Sequence, residues 1–174
     1  IDEQFEDKFV DMGIGPALYA ACYDQNADPM LRTASCQLYQ ALSKDSLERE
    51  MKLGECREEI VVKLLNSSHH LLETEGVKSC ARLGVEPRCK VKLVQLGCLE
   101  PLVRIAADST HHDMAVHMQC MQALLNLSTN PNNQVPICKR ALHLLLRKSR
   151  TPTLPEEIRR LASGILSNLS RHPS

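Results

Sequence analysis

Tryptophan is absent from this sequence of 174 residues, and only three tyrosines and two phenylalanines are present. A core without large aromatic side chains must be filled by Leu, Val, Ile, Ala, Met and Cys, which suits helix-on-helix packing better than a sheet sandwich. Net charge is missing as well, since 21 Lys and Arg balance 21 Asp and Glu. Over the whole chain that balance argues against nucleic acid or an anionic membrane as the main partner. No apolar run approaches the roughly 18 residues that a membrane span needs, and the first residues, IDEQFEDKF, are acidic without the apolar stretch of a secretion signal. Eight cysteines occur but no CxxC pair. Most lie among aliphatic residues at helical spacing, as in Met118-Gln119-Cys120-Met121. Such residues read as small buried hydrophobes kept reduced, which suits the cytoplasm, with cytoskeletal or ciliary association open. No Ser-His-Asp order, glycine-rich phosphate loop or carboxylate pair stands out, so neither catalysis nor a cofactor is expected. The histidine pairs 69–70 and 111–112 do not make a metal site, because adjacent helical residues face different ways.

What the chain does contain is repetition. Residues 121–130 read MQALLNLSTN and residues 163–172 read SGILSNLSRH, which sets Asn126-Leu127-Ser128 against Asn168-Leu169-Ser170, 42 residues apart. A second pair of segments lies at twice that distance: FVDMGIGPALY from residue 9 and LVQLGCLEPLV from residue 93 place Gly13 against Gly97 and Leu18 against Leu102. Cys36 and Cys120 stand in the same relation. A fixed period in the forties marks a helical solenoid, whose units bury a core between neighbours. Each unit is expected to be a short helix, a glycine break, a second short helix, a polar loop and a longer third helix. Glycine at the break tolerates the positive φ of a sharp turn.

The third helices have recognisable starts. Asp28-Pro29 offers an N-cap followed by proline at the first helical position, Asp113 closes a polar loop, and Thr153-Leu-Pro-Glu156 has capping-box spacing. Asn130-Pro-Asn-Asn133 reads as a turn between units. The second unit is degenerate: 54–65 has a helical period, but the helix expected over about 70–83 lacks Asn-Leu-Ser and contains Gly76. The boundaries expected from the period are 1–44, 45–88, 89–129 and 130–174. Because the sequence opens inside a unit and ends just after a third helix with Leu161, Ile165, Leu166 and Leu169, it is expected to be a fragment of a longer solenoid.

The pattern of a hydrophobic pair, glycine, proline, leucine and then a long helix ending in Ala-Leu-x-Asn-Leu-Ser resembles the armadillo repeat, in FVDMGIGPAL, LVQLGCLEPLV, ALLNLS and ILSNLS. The resemblance implies an all-α, right-handed solenoid of about four three-helix repeats spanning 1–174. It further implies a non-enzymatic scaffold that binds a protein or peptide segment along a concave groove of third helices. In that family the Asn near each third-helix end bonds the main chain of an extended peptide, which carries over to Asn126 and Asn168. Gln119 and Gln122 extend Asn126 into one polar stripe. The same asparagines could instead bond neighbouring backbone and fix the register between repeats. Nuclear-import receptors of the family carry Trp four residues before the Asn, where this chain has Gln122 and Gly164. Alternatives are a structural element locked into a cytoskeletal or ciliary assembly by its ends or convex face, other segments of the same solenoid included, and a regulatory or chaperone module.

Charge is distributed unevenly. Residues 1–86 hold 9 Lys and Arg against 16 Asp and Glu, and residues 87–174 hold 12 against 5. Solvated faces alone can produce this, as can a polarity that orients a partner. Lys139, Arg140, Arg147, Lys148, Arg150, Arg159 and Arg160 are candidates for a basic patch facing an acidic partner, with Arg159 and Arg160 supplying charge selection beside the amides. Arg147–Thr153 reads as a basic loop with Ser149 and Thr151 exposed to phosphorylation.

Overall fold

The computed structural model describes residues 3–24, 26–43, 57–108 and 113–171. All regular structure among them is helical. Two compact units divide the chain at residues 60 and 61.

The first unit contains α1 (Glu3–Asp11), α2 (Gly15–Tyr23) and α3 (Pro29–Ser43). Gly13 sits between α1 and α2 at φ 74°, a conformation that costs a residue with a Cβ about 1–2 kcal/mol. α3 starts where Asp28 accepts the amide of Met30 at 2.7 Å, with Pro29 filling the first position whose N–H needs no partner. Val10, Leu18, Cys22, Cys36, Tyr39 and Leu42 are buried apolar residues of this unit. α4 (Arg57–Leu65) spans the division between the units.

The second unit continues with α5 (His70–Leu83), α6 (Pro87–Gln95), α7 (Leu99–Ala107), α8 (Met114–Ser128), α9 (Pro131–Arg150) and α10 (Glu156–Leu169). Gly97 breaks α6 from α7 at φ 95°. Asp113 caps α8 by accepting the amide of Val116 at 2.9 Å. Leu93, Leu102, Ile105, Met121, Leu124, Leu127 and Ile137 are shut off from solvent. Their aliphatic surfaces supply the main stabilising contribution, about 25 cal/mol per Å² removed from water. The degenerate helix forms over His70–Leu83 despite Gly76, because tight packing requires the glycine. A Cβ there would lie 2.7 Å from the amide nitrogen of Leu65 and 3.0 Å from the carbonyl carbon of Leu64, both backbone atoms of α4.

Three sequence-based expectations fail in the last unit. The short helix, break and short helix foreseen after Asn130 are one continuous helix of 20 residues, α9. Lys139 occupies the place 42 residues after Gly97, so nothing there favours the positive φ found at Gly13 and Gly97. Pro136 removes one bond to Asn132 but falls early in α9, and the helix continues through it. Thr153 does not cap α10: the helix begins at Glu156 after Pro155, whose side chain offers no hydrogen bond. Residues 147–150 are the last turn of α9 and not a loop. Ser149 and Thr151 are half-buried, their hydroxyls donating to the carbonyls of Leu146 at 3.0 Å and Arg147 at 2.7 Å.

α9 also buries a cation. Lys148 is 7% exposed on the face that carries Ile137, Ala141, Leu144 and Leu145. Burial, with the charge of Arg147 beside it, holds its ammonium below the usual lysine range. The unfolded chain therefore binds this proton more tightly, and stability from Lys148 rises with pH through the alkaline window that ends at the unfolded value. Lys148→Met is expected to flatten that rise and to raise stability at neutral pH, since an unpaired cation is no longer buried. Urea melts at pH 7 and 10 would show it, and an unchanged or lower midpoint at pH 7 would contradict it.

Candidate interaction site on α8 and α10

Two members of the amide stripe foreseen on α8, Gln122 and Asn126, are joined by a hydrogen bond. Gln119 is exposed, Gln122 and Asn126 are half-buried one and two turns further on. Gln122 Nε2 donates to Asn126 Oδ1 at 2.9 Å, and Asn126 Nδ2 donates to the carbonyl of Ala81 in the last turn of α5, also at 2.9 Å. The approach is close because Gly84 lacks a side chain: a Cβ there would stand 3.3 Å from Asn126 Cβ. Asn126 therefore satisfies a carbonyl that the end of α5 leaves without a helical partner. Its oxygen meanwhile holds Gln122, whose own amide oxygen carries no bond inside this pair.

Asn168 repeats the arrangement one unit later with a different acceptor. Its Nδ2 donates to Ser128 Oγ at 2.9 Å, and that hydroxyl donates onward to the carbonyl of Leu125 at 2.7 Å. In both cases the third-helix asparagine reaches back to the end of the preceding third helix. Gly164, four residues before Asn168, faces α8, where an added Cβ would stand 3.3 Å from Leu125 Cδ1.

Two further amides belong to this network and were not singled out in the sequence. Asn133, in the Asn-Pro-Asn-Asn turn, is 1% exposed. Its Nδ2 donates to Lys90 O at 2.9 Å and Leu127 O at 3.1 Å, tying α9 to α6 and to the end of α8. Gln134, also buried, donates to Ser128 O at 3.4 Å. Their only sequence signal was position: polar residues in the first turn of α9, where a side chain can meet the last carbonyls of α8.

The arginines separate. Arg160 is exposed and donates to Glu157 Oε1 at 2.8 Å; that carboxylate raises its already high pKa. Arg159 is half-buried, with Nε turned out of solvent and unbonded. The foreseen seven-residue patch thus divides, since Lys148 faces the core while Lys139, Arg140, Arg147 and Arg150 are exposed on α9.

Other polar chemistry near α8 is structural. Arg104 of α7 donates to Glu73 of α5 and to Leu65 O at the end of α4. Cys22, Cys36, Cys80, Cys89, Cys98 and Cys120 are buried thiols that form no disulfide. Hydrogen bonding with Cys98 and burial push the Cys80 thiol well up, and burial raises Cys120, so both stay protonated. Cys56 and the pair His111–His112 lie outside the described residues, among which no cluster fit for a metal occurs. No described helix is long and apolar enough to cross a membrane.

No family model and no curated protein sequence matches the chain. Solved structures do. A designed armadillo repeat protein in complex with the peptide (KR)4 is similar at TM-score 0.76 and 20% identity, over 97% of this chain and 69% of that one. Computationally designed armadillo repeat proteins for modular peptide recognition give TM-score 0.75 and 20% identity over 96% of this chain and 69% of theirs. An engineered protein gives TM-score 0.75 and 18% identity over 99% of this chain, which spans 41% of that protein. The fold of this chain is the armadillo-repeat helical solenoid.

Proposed function

We propose that the chain is a non-enzymatic scaffold that binds an extended protein segment along its third helices, with Gln119 and Gln122 of α8 as the main-chain grip. The observation that carries this reading is the bond from Gln122 to Asn126, itself anchored on Ala81 O. An amide held in one orientation loses less freedom when a peptide unit binds it. Asn126 and Asn168 act in this reading as positioning residues, because their donors are engaged within the protein. Arg160, exposed beside Glu157, biases the ligand towards acidic side chains, with Arg159 contributing hydrocarbon to the same helix. The similar designed protein that holds (KR)4 supports peptide binding as a use of this fold; the charge of this ligand is a separate matter. The buried thiols suit a reducing compartment such as the cytoplasm.

Selection from a displayed library of random decapeptides, followed by calorimetry on the enriched sequences, tests the site. The Gln119→Ala, Gln122→Ala double variant is expected to bind them about tenfold more weakly, in line with roughly 0.5–1.5 kcal/mol per lost hydrogen bond, with its helical fold retained. Equal affinity in the variant would move the function to the ends of the array or another face, as in a structural element of a larger assembly.

A further inference from the structure

α9 carries a surface that the amide site does not use. At roughly 100° per residue, Ile137, Ala141, Leu144, Leu145 and Lys148 turn towards the core, and all are buried. The opposite side holds two adjacent rows. Lys139, His143 and Arg147, with Arg140 and Arg150 beside them, are all exposed. Next to them run Cys138, Leu142 and Leu146, all half-buried, led by Val135 at 45% exposure. The helix contains no Asp or Glu. Lys139, His143, Arg147 and Arg150 have no ion pair or side-chain hydrogen bond among the described residues, and Arg140 meets only the outlying Glu100, at 3.9 Å.

We infer that this face of α9 is a second docking surface, and that its partner is an extended acidic segment in which Asp or Glu alternates with aliphatic residues. The geometry argues for an extended chain. Both rows step by four residues, about 6 Å along the helix, and an extended strand returns to the same side every two residues, about 6.6–6.8 Å. Its side chains alternate left and right. A strand lying on the boundary between the rows therefore sets carboxylates over Lys139, His143 and Arg147 and aliphatic groups over Cys138, Leu142 and Leu146. A wide polyanion fits less well: it would run onto Glu100, which is 84% exposed beside Arg140, and would leave the aliphatic row against phosphates.

Fluorescence anisotropy on the full chain with a labelled octapeptide alternating Glu and Leu tests this. The expected result is saturable binding that weakens with salt, falls about tenfold or more in Lys139→Ala, Arg147→Ala, and falls several-fold in Leu142→Ser. The Gln119→Ala, Gln122→Ala variant should bind it like the parent, which keeps this surface separate from the amide site. Circular dichroism melts confirm that the variants are folded. The proposal is overturned by an absence of binding at 50 mM salt, by undiminished binding to folded Lys139→Ala, Arg147→Ala, or by tighter binding of a 12-base-pair DNA duplex or of phosphatidylserine vesicles than of the peptide.

Discussion

Gly76→Ala is expected to lower the stability of the 61–174 unit by about 2 kcal/mol, although alanine is the better helix former by about 1 kcal/mol. The sign turns on what the added methyl meets. Its Cβ would sit 2.7 Å from Leu65 N and 3.0 Å from Leu64 C and Cβ. The two backbone atoms belong to α4, so no flexible side-chain end can give way, and α4 and α5 must separate. Separation loosens Leu64, Leu65, Leu72 and Val77, all buried; overpacking costs about 1–3 kcal/mol, here at the upper end because backbone atoms are met, and propensity returns about 1 kcal/mol of it. Gly76→Leu extends the clash and is expected to abolish the cooperative transition of the unit. Gly164→Ala is the control: its Cβ would meet only Leu125 Cδ1, at 3.3 Å, a side-chain end that can shift. Propensity then dominates and stability rises by a few tenths of a kcal/mol. Urea denaturation of the three variants decides the matter, and a Gly76→Ala midpoint at or above the parent's would refute the close-approach argument.

The second large effect concerns the asparagines, which occupy the same place in the repeat but have unequal consequences. Asn126→Ala leaves the carbonyl of Ala81 without its bond, on a residue only 6% exposed. A buried carbonyl so deprived costs about 1–3 kcal/mol. Asn168→Ala removes a donor to Ser128 Oγ, yet that hydroxyl keeps its own bond to Leu125 O. The expected loss there is about 0.5 kcal/mol. Asn126→Asp keeps the acceptor for Gln122 but sets a carboxylate oxygen against the Ala81 carbonyl, so it should be at least as harmful as alanine. Equilibrium unfolding of the single variants, with Gln122→Ala to close a double-mutant cycle, measures both contributions. Equal losses at 126 and 168 would show that the acceptors do not govern the effect.

Several features of the fold were legible in the sequence because they depend on one residue's local chemistry. Gly13 and Gly97 announce positive φ, and Asp28 and Asp113 announce helix starts. The continuous α9 was legible too, had the absence of glycine at Lys139 been weighed as heavily as its presence at Gly97. The partners of the amides were not legible. Whether Asn126 bonds Ala81 or a ligand depends on which carbonyl lies 45 residues back in space, and on Gly84 letting the helices close. Nor could Lys148 be told from Arg147 by composition. Only the angular position on a helix whose full length was unknown sends one cation into the core and its neighbour into water.

α9 is 20 residues without a joint, about 30 Å of uninterrupted helix. Where the units of Gly13 and Gly97 turn at a left-handed glycine, relative motion of the two segments has a soft pivot. α9 has none, so the intervals between its exposed side chains are fixed lengths. Breathing of the surrounding helices leaves them unchanged, and a partner that measures those intervals meets a ruler rather than a spring.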